Sequence, residues 1–157
     1  MATQPTVDAQ ALPFLRTKLT APPLRSELVS RPRLMARLNR GLWRAGGAAR
    51  KLTLVSAPAG FGKTTVIGAW AQSLDGAHPT VPGSAGLPSE SVPVAVAWLS
   101  LDEGDNDPVR FLAYLIAALQ TAQDGVGGAA LVRLQSQQPP PAEVTLSAVI
   151  NDIAVLS

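Results

Sequence analysis

The apolar positions fall into blocks whose spacing changes along the chain. From Leu12 to Leu28, three prolines (Pro13, Pro22, Pro23) interrupt apolar and basic residues, which predicts an extended arm lying on another surface. From Ser30 the spacing turns helical. Pro32 suits a first turn, Leu34, Leu38 and Leu42 recur every fourth position, and Gly46-Gly47 predicts the end. Leu52–Ser56 reads as a short buried strand, and Val66, Ile67, Trp70, Ala71 and Leu74 return to helical spacing up to Leu74 or Asp75. Residues 76–93 are rich in Pro, Gly and Ser and predict a flexible insertion. Val94–Leu101 is a nearly continuous apolar run, suited to a strand in a sheet covered on both faces.

Three more helices follow. Pro108 to about Ala122 carries a buried stripe of Val109, Phe111, Leu112, Leu115, Ile116 and Leu119. Ala129–Gln135 predicts a short helix, and Pro141 opens a last one with Val144, Val149, Ile150 and Ile153 facing inward. Strands alternating with helices predict an α/β fold. Residues 1–11 are polar and without periodicity, which predicts a disordered N-terminus.

Between the first strand and its helix lies Ala57-Pro58-Ala59-Gly60-Phe61-Gly62-Lys63-Thr64-Thr65, the layout of a phosphate-binding P-loop. Ala57 stands where the strict pattern has its first glycine. Glycines let successive N–H groups turn inward around an anion, and the helix start adds unpaired N–H groups and a positive dipole end. Lys63 is placed to reach the β- and γ-phosphates, the Thr64 hydroxyl to join a Mg²⁺ shell, and Thr65 to lie near the α-phosphate. A chance match somewhere in such a chain has a probability on the order of 1% from average residue usage. Nucleotide binding with Mg²⁺ is therefore the better reading of this stretch than a glycine turn beside a surface lysine.

Composition narrows the alternatives. With no cysteine there is no disulfide framework and no thiolate zinc site, in keeping with the cytoplasm. The N-terminus lacks a secretory pattern, and no apolar run approaches the ~20 residues of a membrane span. The net charge of +2 hides a division. Up to Lys51 ten basic residues face only Asp8 and Glu27, and the remainder is acidic. A solvated helix face that also packs on the acidic half is the plainer account of the arginines, since no base-stacking aromatics are interleaved with them. Binding to nucleic acid or an anionic partner is the alternative.

The acids of Asp102-Glu-Gly-Asp-Asn-Asp-Pro108 do not match the spacing of a calcium loop. Asp107 as helix cap with Pro108 at the first position explains the run better, with Asp102 or Glu103 near Mg²⁺ as the alternative. His78, the single histidine, has no acid or nucleophile beside it and reads as a surface residue.

Leu15–Arg25, Leu28–Leu34, Leu52–Thr65 and Ala97–Phe111 together resemble the start of the large LuxR-type, MalT-like bacterial regulators, and Ile150–Ile153 is similar to the same family's next helix. These are STAND-class ATPases. The resemblance implies a three-layer αβα P-loop domain with a parallel sheet, preceded by a basic, proline-containing arm and helix. It also implies an ATP/ADP switch, ATP-promoted self-association, and DNA binding through a C-terminal helix-turn-helix. Gly60, Gly62, Lys63, Thr64 and Thr65 would hold phosphates and Mg²⁺, and Val29–Arg33 would lie near the adenine.

The implied organisation is residues 1–11, an arm and helix at 12–45, and a partial P-loop domain at 46–157. The sequence stops before the strand that would bear paired acids, so the expectation is a fragment with little hydrolysis of its own. Leu52–Ser56 and Val94–Leu101 would then leave unpaired edges and exposed apolar faces. A small P-loop kinase, or an interaction module that engages nucleic acid or a full-length relative through the basic arm, are the alternatives.

Overall fold

The computed structural model describes residues 14–24, 29, 31–44, 47–48, 51–75 and 94–156. The expected disordered N-terminus, the insertion at 76–93 and His78 lie outside the described residues. The chain divides into two compact units: Ala21–Val96, and the described part of Met1–Thr20 joined to Ala97–Ser157.

In the second of these units, residues Arg16–Lys18 form one 3₁₀ turn, so the arm has a short regular element where none was expected. Ser100 N–H donates to the Lys18 carbonyl at 2.8 Å. The Lys18 ammonium is buried against Asp105, which is also buried, and lies 3.0 Å from Asp102. It also sits 4.6 Å from the centre of the Tyr114 ring, whose edge meets Phe14. Asp102 and Asp105 form a reciprocal capping box over the turn Glu103–Asn106, Asp102 accepting from Gly104 N–H and Asp105 from Asp102 N–H.

Asp107 caps α3 (Pro108–Ala122), accepting from Arg110 N–H at 2.7 Å, with Pro108 in the first turn as its fixed φ favours. Leu112 and Ile116 of α3 are buried with Val126, Ala130, Leu134 and Val149, and the rest of the expected stripe packs around them. Ala113, Tyr114, Ala117 and Ala118 are buried as well, so α3 is covered on most of its circumference. The α4 helix (Gly128–Leu134) and the α5 helix (Ala142–Leu156) complete the layer. Gly127 makes the close approach possible: its φ is +66°, and a Cβ there would stand 2.9 Å from Ile116 Cγ2. Its N–H donates to Asp152. On α5 the expected inward set is corrected. Val149 is buried beside Thr145, but Val144 and Ile150 are half or more exposed.

In the other unit, α1 (Pro32–Leu42) starts where the proline predicted and ends before the glycines. Two-residue strands β1 (Trp43–Arg44) and β2 (Gly47–Ala48) follow, antiparallel, with Trp43 opposite Ala48. The α2 helix (Lys63–Leu74) packs on α1, and the Trp70 indole N–H donates to Asn39 at 2.8 Å.

The expected α/β fold, an incomplete three-layer αβα with a parallel sheet, is not formed. Among the described residues the regular elements are helical apart from that two-residue antiparallel ladder. Leu52–Ser56 and Val94–Leu101 carry no ladder, and Leu52 and Leu54 are 84% and 86% exposed. An apolar run specifies a residue's preference for burial, whereas a strand exists only with a neighbour to accept and donate its backbone hydrogen bonds. Among the described residues neither segment forms such a ladder; Val94–Leu101 has the hydrogen bond from Ser100 N–H to Lys18, which does not extend into one. Nor is any helix among the described residues long and apolar enough to cross a membrane.

Two predictions follow from the Lys18 unit. Gly127→Ala should cost about 2 kcal/mol or more in urea unfolding, from overpacking against Ile116 and the left-handed backbone together. Gly125→Ala, at φ +86° with open space around it, should cost only the backbone part, about 1–2 kcal/mol.

The second concerns pH. The hydrogen bond from Lys18, helped by that from Asp102 N–H, holds the Asp105 carboxyl below the usual range although burial opposes this. Burial alone would lower the Lys18 ammonium, but hydrogen bonds and charge from Asp105 and Asp102 outweigh it and raise the value. The stability this pair contributes is thus complete between about pH 4 and pH 10. It is lost as pH falls through the depressed Asp105 value, and as pH rises through the raised Lys18 value. Asp105→Asn should lower the urea midpoint at neutral pH and flatten the acid limb; an acid limb as steep as the wild type's would contradict the assignment.

Candidate phosphate-binding loop

The turn from Ser56 to Lys63 is built by two glycines in the left-handed region, Gly60 at φ +83° and Gly62 at φ +74°. A residue with a Cβ pays a steric cost there, so the sequence places glycine at both. Phe61 N–H reaches back to the Pro58 carbonyl at 3.5 Å, and Gly62 hands the chain to α2 as its N-cap, its carbonyl accepting from Val66 N–H. Gly62 has no side chain to offer the first-turn amides, and these N–H groups have no intrahelical acceptor. Twelve residues of aligned peptide dipoles place the positive end of α2 at the same point.

Ala59, Gly60, Phe61, Gly62 and Thr65 line one open cavity of about 690 Å³. Its other wall comes from Val29, Arg31 and Met35, with Val66 and Ala69 from α2. The structure thus brings two residues of the Val29–Arg33 segment, Val29 and Arg31, to the loop. Ala57 and Pro58 stand apart from the lining and take another part. Their carbonyls accept from the Lys63 ammonium, that of Pro58 at 2.9 Å. The Lys63 charge is therefore held at the base of the loop by the loop's own backbone. Thr64 is exposed and outside the lining.

Met35 and Ala69 are cavity residues that the sequence pattern does not single out, and Val66 is one that it marks only by helical spacing. The available signal was spacing: Met35 lies one helical turn beyond Arg31, and Thr65, Val66 and Ala69 share a side of α2. Asp102 and Glu103 belong to the other compact unit, where Asp102 is engaged by Lys18 and Gly104. Among the described residues no three His, Cys, Asp or Glu side chains gather as a metal-binding group.

No protein-family model matches the sequence. Individual proteins do. The chain is 38% identical over 125 residues to the HTH-type transcriptional regulator MalT of Cronobacter sakazakii (strain ATCC BAA-894), covering 80% of this chain and 11% of that protein. It is 41% identical over 112 residues to the HTH-type transcriptional regulator MalT of Serratia proteamaculans (strain 568), covering 71% of this chain and 10% of that protein. By its sequence the chain belongs to the MalT-like family. It spans about a tenth of the length of these relatives.

In this MalT-like chain the loop's shape depends on Gly62 more than on Gly68 inside α2. Gly62→Ala should lower stability by about 1–2 kcal/mol through the left-handed backbone. At Gly68 a Cβ would meet Leu24 at 3.5 Å and the Pro22 carbonyl at 4.0 Å, both ordinary contacts. There alanine should be neutral or stabilising by up to about 1 kcal/mol, because it favours the helix interior. Urea unfolding followed by Trp70 fluorescence, which reports on α2 directly, separates the two.

Proposed function

We propose that this chain binds ATP and ADP with Mg²⁺ through Ala57–Thr65, as the nucleotide-sensing part of a MalT-like transcriptional regulator in the cytoplasm. The observation that supports this reading is that the two left-handed glycines and the α2 amino terminus border an open cavity that Arg31 also lines, with the Lys63 ammonium held beside it by the loop's own carbonyls. Each of these is suited to an anion, and together they are suited to a chain of phosphates.

The N–H groups from Gly60 to Thr65 would cradle the phosphates, and Lys63 would turn from the Ala57 and Pro58 carbonyls to the β- and γ-phosphates. The Thr64 hydroxyl, exposed beside them, would enter the Mg²⁺ shell. Val29 and Met35 offer apolar surface for the base, and Arg31 a guanidinium for ribose or phosphate. None of the described residues that line the cavity is a carboxylate that could orient an attacking water, in keeping with a chain that acts by binding with little turnover. Nucleotide-dependent self-association, and DNA binding by another region of the regulator, complete the proposed switch.

Titration calorimetry with Mg-ATP and with ADP tests this. Binding should be saturable, and Lys63→Ala should weaken it by tenfold or more, because a charge-assisted contact to phosphate is lost. Equal affinity in wild type and Lys63→Ala would overturn the assignment, as would steady phosphate release that Lys63→Ala abolishes for the claim of little turnover.

A further inference from the structure

The exposed side of α1 carries a different chemistry from the loop. At 3.6 residues per turn, Arg33, Arg37 and Arg40 fall within about 60° of one another around the helix axis and span about 10 Å along it. Leu34, Leu38 and Leu42 occupy the neighbouring arc. All three arginines are exposed, and α1 contains no acidic residue. The ion pairs among the described residues involve only Lys18 and Arg110. Arg33, Arg37 and Arg40 rim an open groove of about 580 Å³ whose remaining lining is Leu34 and Ala36. The surrounding unit, Ala21–Val96, holds nine basic residues against three acidic ones.

The lining decides what kind of anion fits. A nucleic-acid backbone offers phosphates but no apolar surface for Leu34 and Ala36, and no aromatic side chain in the groove is available to stack a base. An amphipathic helix with acidic residues at positions i, i+4 and i+7 reproduces the spacing of Arg33, Arg37 and Arg40. Its flanking apolar residues would cover Leu34 and Ala36. Arginine favours this arrangement over lysine, since its planar fork pairs bidentately with carboxylates. We infer that the arginine face of α1 is a docking surface for an acidic amphipathic helix of a partner protein. This surface is separate from the phosphate loop and does not depend on nucleotide.

Fluorescence anisotropy tests it with a labelled synthetic helix of about 18 residues, bearing Glu at i, i+4 and i+7 beside leucines. The wild-type chain should bind it, with affinity falling as salt rises. Arg33→Gln/Arg37→Gln/Arg40→Gln should weaken binding at least tenfold while far-UV circular dichroism stays unchanged. Arg33→Glu/Arg37→Glu/Arg40→Glu should bind the same helix with Lys in place of Glu. If a triple variant does not fold, the single Arg37→Gln and the wild-type salt series carry the test. Salt-insensitive binding, or undiminished binding by Arg37→Gln, would overturn the proposal. So would equal binding of a helix lacking the leucines, or tighter binding of a 20-base-pair DNA duplex.

Discussion

A buried lysine must be neutralised where it lies, and Lys18 organises its unit through that requirement. Its ammonium reaches Asp105 across 87 residues of sequence and also pairs with Asp102, and its carbonyl accepts from Ser100. Asp105 in turn closes the capping box that ends at the N-cap of α3. One side chain therefore fixes the arm, the acidic turn and the register at which α3 starts. Removing either partner leaves the other charge buried with only its weaker contacts, Asp102 at 3.0 Å for Lys18 and Arg110 at 3.5 Å for Asp105, which is more costly than never having the pair. Tyr114 adds a second anchor: its ring lies under Lys18, and its hydroxyl accepts from Leu15 N–H. Chain entry to and return from Ala21–Val96 are thus tied together within this unit, because residue 18 precedes that segment and residue 100 follows it.

How much of this was legible depends on the range of the interaction involved. Local signals read well. Pro32 and Pro108 marked helix starts, Asp107 was recognised as a cap, and the α3 stripe packs as spacing required. The loop's glycines also declared themselves, since Gly60 and Gly62 take the conformations that only glycine adopts freely. Non-local pairing was not legible. Leu52–Ser56 and Val94–Leu101 have the composition of strands, but composition does not supply a partner. The same limit hid the Lys18–Asp105 contact, because the acidic run looked sufficiently explained by helix capping. On α5, four apolar positions seemed to share one face; only the side at Thr145 and Val149 meets α3 and α4 closely.

The candidate site shows the same division. Resemblance pointed to Val29–Arg33, and the cavity joins Val29 and Arg31 to the loop, but Met35 and Ala69 enter through the packing of α1 on α2. That helix pair, rather than a sheet, supports the loop here. The consequence is energetic. A phosphate cradle needs its amides oriented before the anion arrives, since binding energy is otherwise spent on ordering the backbone. The two left-handed glycines and the start of α2 supply that orientation locally.

Lys63 works in the opposite direction. Its ammonium already has two carbonyl partners, so phosphate must compete with hydrogen bonds rather than with bulk water alone. The competition favours phosphate. A charged oxygen is a stronger acceptor for an ammonium than a neutral carbonyl, and the Ala57 and Pro58 carbonyls can turn to solvent because the loop is exposed. Until then, the interaction holds the charge next to the site and limits the side-chain entropy lost on binding. In the binding proposed above, the resting contact of Lys63 would therefore lower both the gain from a new phosphate link and the side-chain entropy lost in making it.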